Sequence, residues 1–104
     1  MAIPPFILAQ REAVADLCRR AHALRLEVFG SAVRDDFSVE TSDLDFLVEL
    51  EAVQPGEYAE HYFVLKEGLE QLFRRPVDLF TASALVNPYL KARIDSERQV
   101  VYAA

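Results

Sequence analysis

The chain has 104 residues, 52% of them hydrophobic, which suits one packed core with little left for a second lobe. Its formal net charge of -6 speaks against a stand-alone nucleic-acid binder, which normally presents a basic face; it suits a basic protein partner or a metal held by acids. A single cysteine, Cys18, excludes an internal disulfide and fits a reducing compartment. No apolar run is long enough to cross a membrane, and Met1-Ala2-Ile3-Pro4-Pro5 does not read as a signal peptide. The expectation is one cytoplasmic domain spanning residues 1–104.

In chain order, residues from about Pro5 to Ala23 are predicted as a helix. Ile7, Val14, Leu17, Cys18, Ala21 and Leu24 recur at helical spacing, and Asp16 can pair with Arg19 or Arg20. Leu24 to Phe29 alternates as a strand, with Leu26 and Val28 opposite Arg25, Glu27 and Phe29, and stops at Gly30-Ser31. Ala32 to Asp35 reads as one helical turn, Phe37 to Ser42 as a loop, and Asp43 to Leu50 as a second strand ended by Gln54-Pro55-Gly56. Glu57 to Phe73 is an amphipathic helix with Tyr58, Tyr62, Leu65, Leu69 and Leu72 on its apolar stripe. Val77 to Phe80 is a short strand. Asn87-Pro88 is an N-cap followed by a first-turn proline, opening a helix to about Ser96. Val100-Val101-Tyr102 is a final strand or packed tail. The fold class is α/β, helices packed on a small mixed sheet.

The informative feature is acidic residues placed on apolar strands. Asp43 and Asp45 share a strand face, with Cβ atoms about 6–7 Å apart. Asp78, the one acid in Val77-Asp78-Leu79-Phe80, is the natural third carboxylate if its strand lies alongside. At about 4 Å and an effective dielectric of about 20, each like-charge contact costs about 4 kcal/mol. A cation between the acids, or a proton on one of them, relieves this. Hard oxygen donors favour magnesium or manganese, and two metals about 3.5–4 Å apart would fit between the three acids. Gly30 lets the backbone approach a ligand closely, and Ser31 offers a hydroxyl and turn N–H groups to a phosphate. Arg34, one turn on, is placed either to contact that phosphate or to brace an aspartate. A phosphate seat plus metal-binding acids describes nucleotidyl transfer.

The segments Phe29-Gly30-Ser31-Ala32-Val33-Arg34, Ser42-Asp43-Leu44-Asp45-Phe46-Leu47-Val48 and Val77-Asp78-Leu79 together resemble the DNA polymerase β-type nucleotidyltransferase superfamily. Within it, the chain is most similar to the minimal nucleotidyltransferase (MNT) antitoxins paired with HEPN-domain toxins, from the first strand to the tail at Asn87-Pro88-Tyr89-Leu90. The resemblance implies a polymerase β-like nucleotidyltransferase fold. It makes Asp43, Asp45 and Asp78 the metal ligands and catalytic carboxylates, with Asp78 helping to activate the acceptor. Gly30, Ser31 and Arg34 become the nucleotide-binding group, with Mg2+ or Mn2+ as cofactor and ATP as substrate. The implied function is transfer of AMP to a tyrosine hydroxyl of a cognate HEPN ribonuclease toxin, with no direct nucleic-acid or membrane partner. Two features depart from the family pattern: eleven residues, Ala32 to Ser42, separate Ser31 from Asp43, one more than usual, and Asp35 stands where a glycine is common.

Other readings compete residue by residue. The chain could neutralise a toxin by stoichiometric binding alone, or transfer a nucleotide to a small molecule such as an aminoglycoside. Arg34 could form a surface pair with Asp35 or Asp36, themselves read as solvated loop residues. Glu49 shares the face of Asp43 and Asp45 but lies at the exposed far end of the strand. His22 and His61 lack metal-type spacing and read as surface or boundary residues. Cys18 is assigned to the core, and Lys66, Arg74 and Arg75 to a solvated helix face and helix end.

Overall fold

The computed structural model describes residues 2–34, 42–51 and 54–104. Its elements are α1 (Pro5–Leu8), α2 (Arg11–Arg20), β1 (Ala23–Phe29), a 3-10 turn (Gly30–Val33), β2 (Leu44–Leu50), α3 (Glu57–Phe73), β3 (Val77–Phe80), a second 3-10 turn (Ala82–Val86), α4 (Pro88–Glu97) and β4 (Gln99–Ala103). The strands form one mixed sheet in the order β3-β2-β1-β4. β1 runs antiparallel to both β2 and β4, while β2 and β3 run parallel. A parallel pair needs a crossover, and α3 supplies it between β2 and β3.

Strand alternation gives the sheet two apolar faces. On one, Leu26, Val28, Leu44, Phe46, Val48, Val77 and Leu79 pack with Val14, Leu17 and Cys18 of α2 and Leu65, Leu69 and Phe73 of α3. Burial pushes the Cys18 thiol up to about 12, so it is inert core. On the other face a smaller cluster joins Phe29 and Leu47 to Ile94 of α4, with Phe80, Leu85 and Leu90 against it. Asn87 caps α4 as its sequence predicts, accepting from the N–H groups of Tyr89 and Leu90 at 3.0 and 3.1 Å.

Several expectations are corrected. The first helix is not continuous from Pro5 to Ala23: it breaks between Leu8 and Arg11, and α2 ends at Arg20. Leu24 leaves the apolar stripe and is 40% exposed, because the β1–β2 register shifts between Ala23 and Arg25. The helical turn expected at Ala32 to Asp35 begins earlier, at Gly30, and β2 begins at Leu44, leaving Asp43 just ahead of the strand. The turn at Ala82–Val86 is too short and too irregular in pattern to announce itself. Asp35 and Asp36, and the loop expected from Phe37, lie outside the described residues apart from its last residue, Ser42. Among the described residues, no helix is long and apolar enough to cross a membrane.

Candidate active site

The site is built by strand register. Phe29, the last residue of β1, pairs with Asp45 of β2, and Asp45 pairs in turn with Asp78 of β3. Neighbouring strands lie about 4.8 Å apart, so the parallel β2–β3 pair sets the two carboxylates side by side on one face. That face belongs to the smaller cluster, where Phe29 and Phe80 stack with ring centroids 5.4 Å apart. The aspartates therefore stand at the edge of an apolar floor. Asp43 and Asp78 are exposed, whereas the Asp45 side chain is only 18% exposed.

Asp45 is pushed up to about 6. Burial is the main cause, followed by the negative charge of Asp78; a hydrogen bond with Asp78 and the charge of Asp43 add to it, and Arg93 opposes it. The Arg93 guanidinium comes to 4.0 Å from Asp45 Oδ2. Asp45 thus keeps its proton to a higher pH than an ordinary aspartate, with Asp78 beside it as one of the causes. Among the described residues, no three His, Cys, Asp or Glu side chains are already gathered around a single ion. The structure brings Asp45 and Asp78 together and leaves Asp43 at the solvent-facing start of the strand. Two hard oxygen donors side by side, one of them reluctant to ionise, fit a divalent cation.

Gly30 opens the 3-10 turn beside this pair. Its φ is +78°, and a Cβ there would fall 2.3 Å from Asp45 Oδ2. Glycine is thus required twice, for the backbone conformation and for the close approach to the carboxylate. The phosphate-seat residues and the acids meet at this point. Ser31 follows, half-buried.

Two site residues gave no sequence signal. Glu97, the last residue of α4, is buried to 6% exposure. Its Oε2 accepts from the Gly30 N–H at 2.8 Å, and its Oε1 accepts from Arg34. Arg93, one turn earlier on α4, lies 3.8 Å from Glu97 Oε2 and bridges toward Asp45. Arg34 therefore meets a partner from the opposite end of the chain. A spacing of one turn on a helix of mixed polarity does not distinguish Arg93 and Glu97 from surface residues.

The other singled-out residues lie elsewhere. Glu49 is exposed. Lys66 pairs with Glu70 at 3.3 Å, and the Arg75 guanidinium sits 5.5 Å from the centre of the Phe6 ring. His22 and His61 stack at 4.5 Å, and His22 reaches Glu51 at 3.3 Å, well apart from the acids in the sheet register.

Two outcomes follow for the protein in chelator. A raised carboxyl means the folded state binds a proton more tightly than the unfolded chain. The associated stability is complete below an ordinary carboxylate value near 3.8 and is lost as pH rises through about 6. Urea midpoints should fall across that window, and Asp45→Asn should flatten the fall; equal slopes in both proteins would contradict the account. Gly30→Ala should cost about 1–3 kcal/mol of backbone strain plus the collision with Asp45. Gly56→Ala, at φ +95° with nothing within 4 Å of the new methyl, should cost less by the same urea assay.

Comparison with known proteins gives the family. Residues 11–101 match the nucleotidyltransferase domain family model. Two proteins of Methanocaldococcus jannaschii, named as candidate protein adenylyltransferases, are each 35% identical over 72 residues, 69% of this chain and 70% and 69% of theirs. A solved structure described as a candidate minimal nucleotidyltransferase superposes with a TM-score of 0.69 at 38% identity, covering 88% of both chains. A chain from a complex of tri-AMPylated Shewanella oneidensis HEPN toxin with MNT antitoxin shares the fold, with a TM-score of 0.63 at 14% identity over 94% of this chain and 73% of that one. The protein described here belongs to the nucleotidyltransferase domain family, in its minimal nucleotidyltransferase form.

Proposed function

We propose that this protein is an antitoxin that transfers AMP from ATP to a tyrosine hydroxyl of a cognate HEPN ribonuclease toxin and so neutralises it. The observation that carries the reading is the register that sets Asp45 beside Asp78 with Gly30 pressed against the same carboxylate. The M. jannaschii relatives named for protein adenylylation support the acceptor class, and the fold is shared with the antitoxin–toxin complexes. A further shared fold comes from a toxin–antitoxin structure with AMP-PNP, at a TM-score of 0.63 and 16% identity.

Asp43, Asp45 and Asp78 would hold Mg2+, which when bound neutralises the triphosphate and the departing pyrophosphate. Ser31 and the N–H groups that follow it in the turn receive phosphate oxygens, while the Gly30 N–H is already bonded to Glu97. Asp78, exposed beside the pair, takes the proton of the acceptor hydroxyl as its oxygen bonds to the α-phosphorus and the bond to the β-phosphate breaks. The exposure of Asp43 and Asp78 suits an acceptor delivered on the surface of another protein.

The test combines the chain, ATP, Mg2+ and the helical protein encoded by the neighbouring reading frame, read by intact mass and by the toxin's ribonuclease activity. The expected outcome is AMP on the toxin, with the rate reduced at least about 100-fold by Asp43→Asn. A toxin that is silenced without modification, and equally well by Asp43→Asn, would replace catalysis with stoichiometric binding, a reading favoured by the net charge of -6.

A further inference from the structure

Glu97 is an anomaly on physical grounds. It is a carboxylate at the C-terminal end of a helix, where the backbone dipole disfavours negative charge. It is also buried, which costs free energy unless the charge is fully paired. Three groups pair it: the Gly30 N–H at 2.8 Å, the Arg34 guanidinium, and Arg93 Nε at 3.8 Å. All three belong to the active site. Gly30 touches Asp45, Arg34 ends the Gly30–Val33 turn, and Arg93 reaches Asp45 at 4.0 Å. The sheet explains why Glu97 arrives there: β4 pairs Gln99 with Val28, so the residues before Gln99 run past the end of β1 toward Gly30.

We propose that Glu97 is a positioning residue that fixes the phosphate-binding turn and assigns its donors. Building on the nucleotide-transfer reading, Glu97 takes up the Gly30 N–H and Arg34, the two donors that the sequence pattern offers to phosphate. The triphosphate is thereby directed to Ser31 and the N–H groups that follow it. The carboxylate also engages Arg93, whose guanidinium stands 4.0 Å from Asp45 Oδ2, and keeps it from closing further onto the aspartate where the cation is to sit. Its removal takes one carboxylate away from Arg34 and Arg93 and leaves the turn free to rotate its N–H groups away from the nucleotide.

The experiment titrates MgATP into the intact protein, following backbone amides by NMR, with calorimetry on wild type, Glu97→Gln and Glu97→Asp. In wild type the Ser31 amide should move most. The Gly30 amide, already bonded to a carboxylate, should exchange slowly with solvent and shift little. Glu97→Gln keeps the length but loses the charge, and Glu97→Asp keeps the charge but loses the reach; each should weaken MgATP binding about tenfold or more, the worth of one charged hydrogen bond. In turnover, KM for ATP should rise by that factor with kcat little changed, whereas Asp43→Asn should lose kcat. A Gly30 amide that moves as far as Ser31, or a Glu97→Gln protein that binds MgATP as tightly as or more tightly than wild type, would overturn the proposal; the latter would make Glu97 a competitor for phosphate. The wild-type titration decides the matter even if the variants fail to fold. Absence of MgATP binding by wild type would instead defeat the nucleotide-transfer reading itself.

Discussion

The site depends on one pairing: Asp45 stands opposite Asp78 across two parallel strands. Parallel strands have a fixed side-chain period and a fixed spacing, so the two Cβ atoms stay side by side as long as the ladder that also buries Leu44, Phe46, Val77 and Leu79 is intact. The core thus holds the two acids together against their own repulsion. The cost appears as an Asp45 pushed up to about 6. A bound cation would offset that repulsion.

The remaining elements place other groups around the pair. β1 ends opposite Asp45 and turns sharply through Gly30, bringing the Gly30–Val33 turn against the carboxylate. α4 closes the second face of the sheet through Ile94 and carries Arg93 and Glu97 to the site. Glu27, also buried, is paired by Arg25 at 3.0 Å and Arg98 at 3.6 Å, so the buried acids on this face all have cationic partners. Charge balance on this face is local: acids from the sheet meet arginines that come largely from α4 and the residue after it.

Much of this was legible in the sequence, and the reasons differ by element. The strand at Val77–Phe80 and the helix at Glu57–Phe73 end where Arg74-Arg75-Pro76 and the apolar periods say they should, because local propensity and packing agree there. Asp43, Asp45 and Asp78 were visible because an acid on an apolar strand is costly and so conspicuous. The break between Leu8 and Arg11 was hidden, since Ile7 and Val14, both fully buried, fit a continuous helix equally well. Glu27 was assigned correctly to the face opposite Leu26 and Val28, but alternation says nothing about whether a distant helix covers that face. Glu97 was invisible for the same reason: its partner Gly30 lies 67 residues away, and only the β1–β4 register joins them.

The fold sets Asp45 beside Asp78 and raises its carboxyl, a state that a bound cation would relieve. Titrating the Asp45 carboxyl carbon by NMR, in chelator and then in saturating Mg2+, tests it directly. Asp45 should titrate at about 6 in chelator and move to lower pH when Mg2+ is added. An Asp45 that titrates as an ordinary aspartate and does not respond to Mg2+ would contradict it.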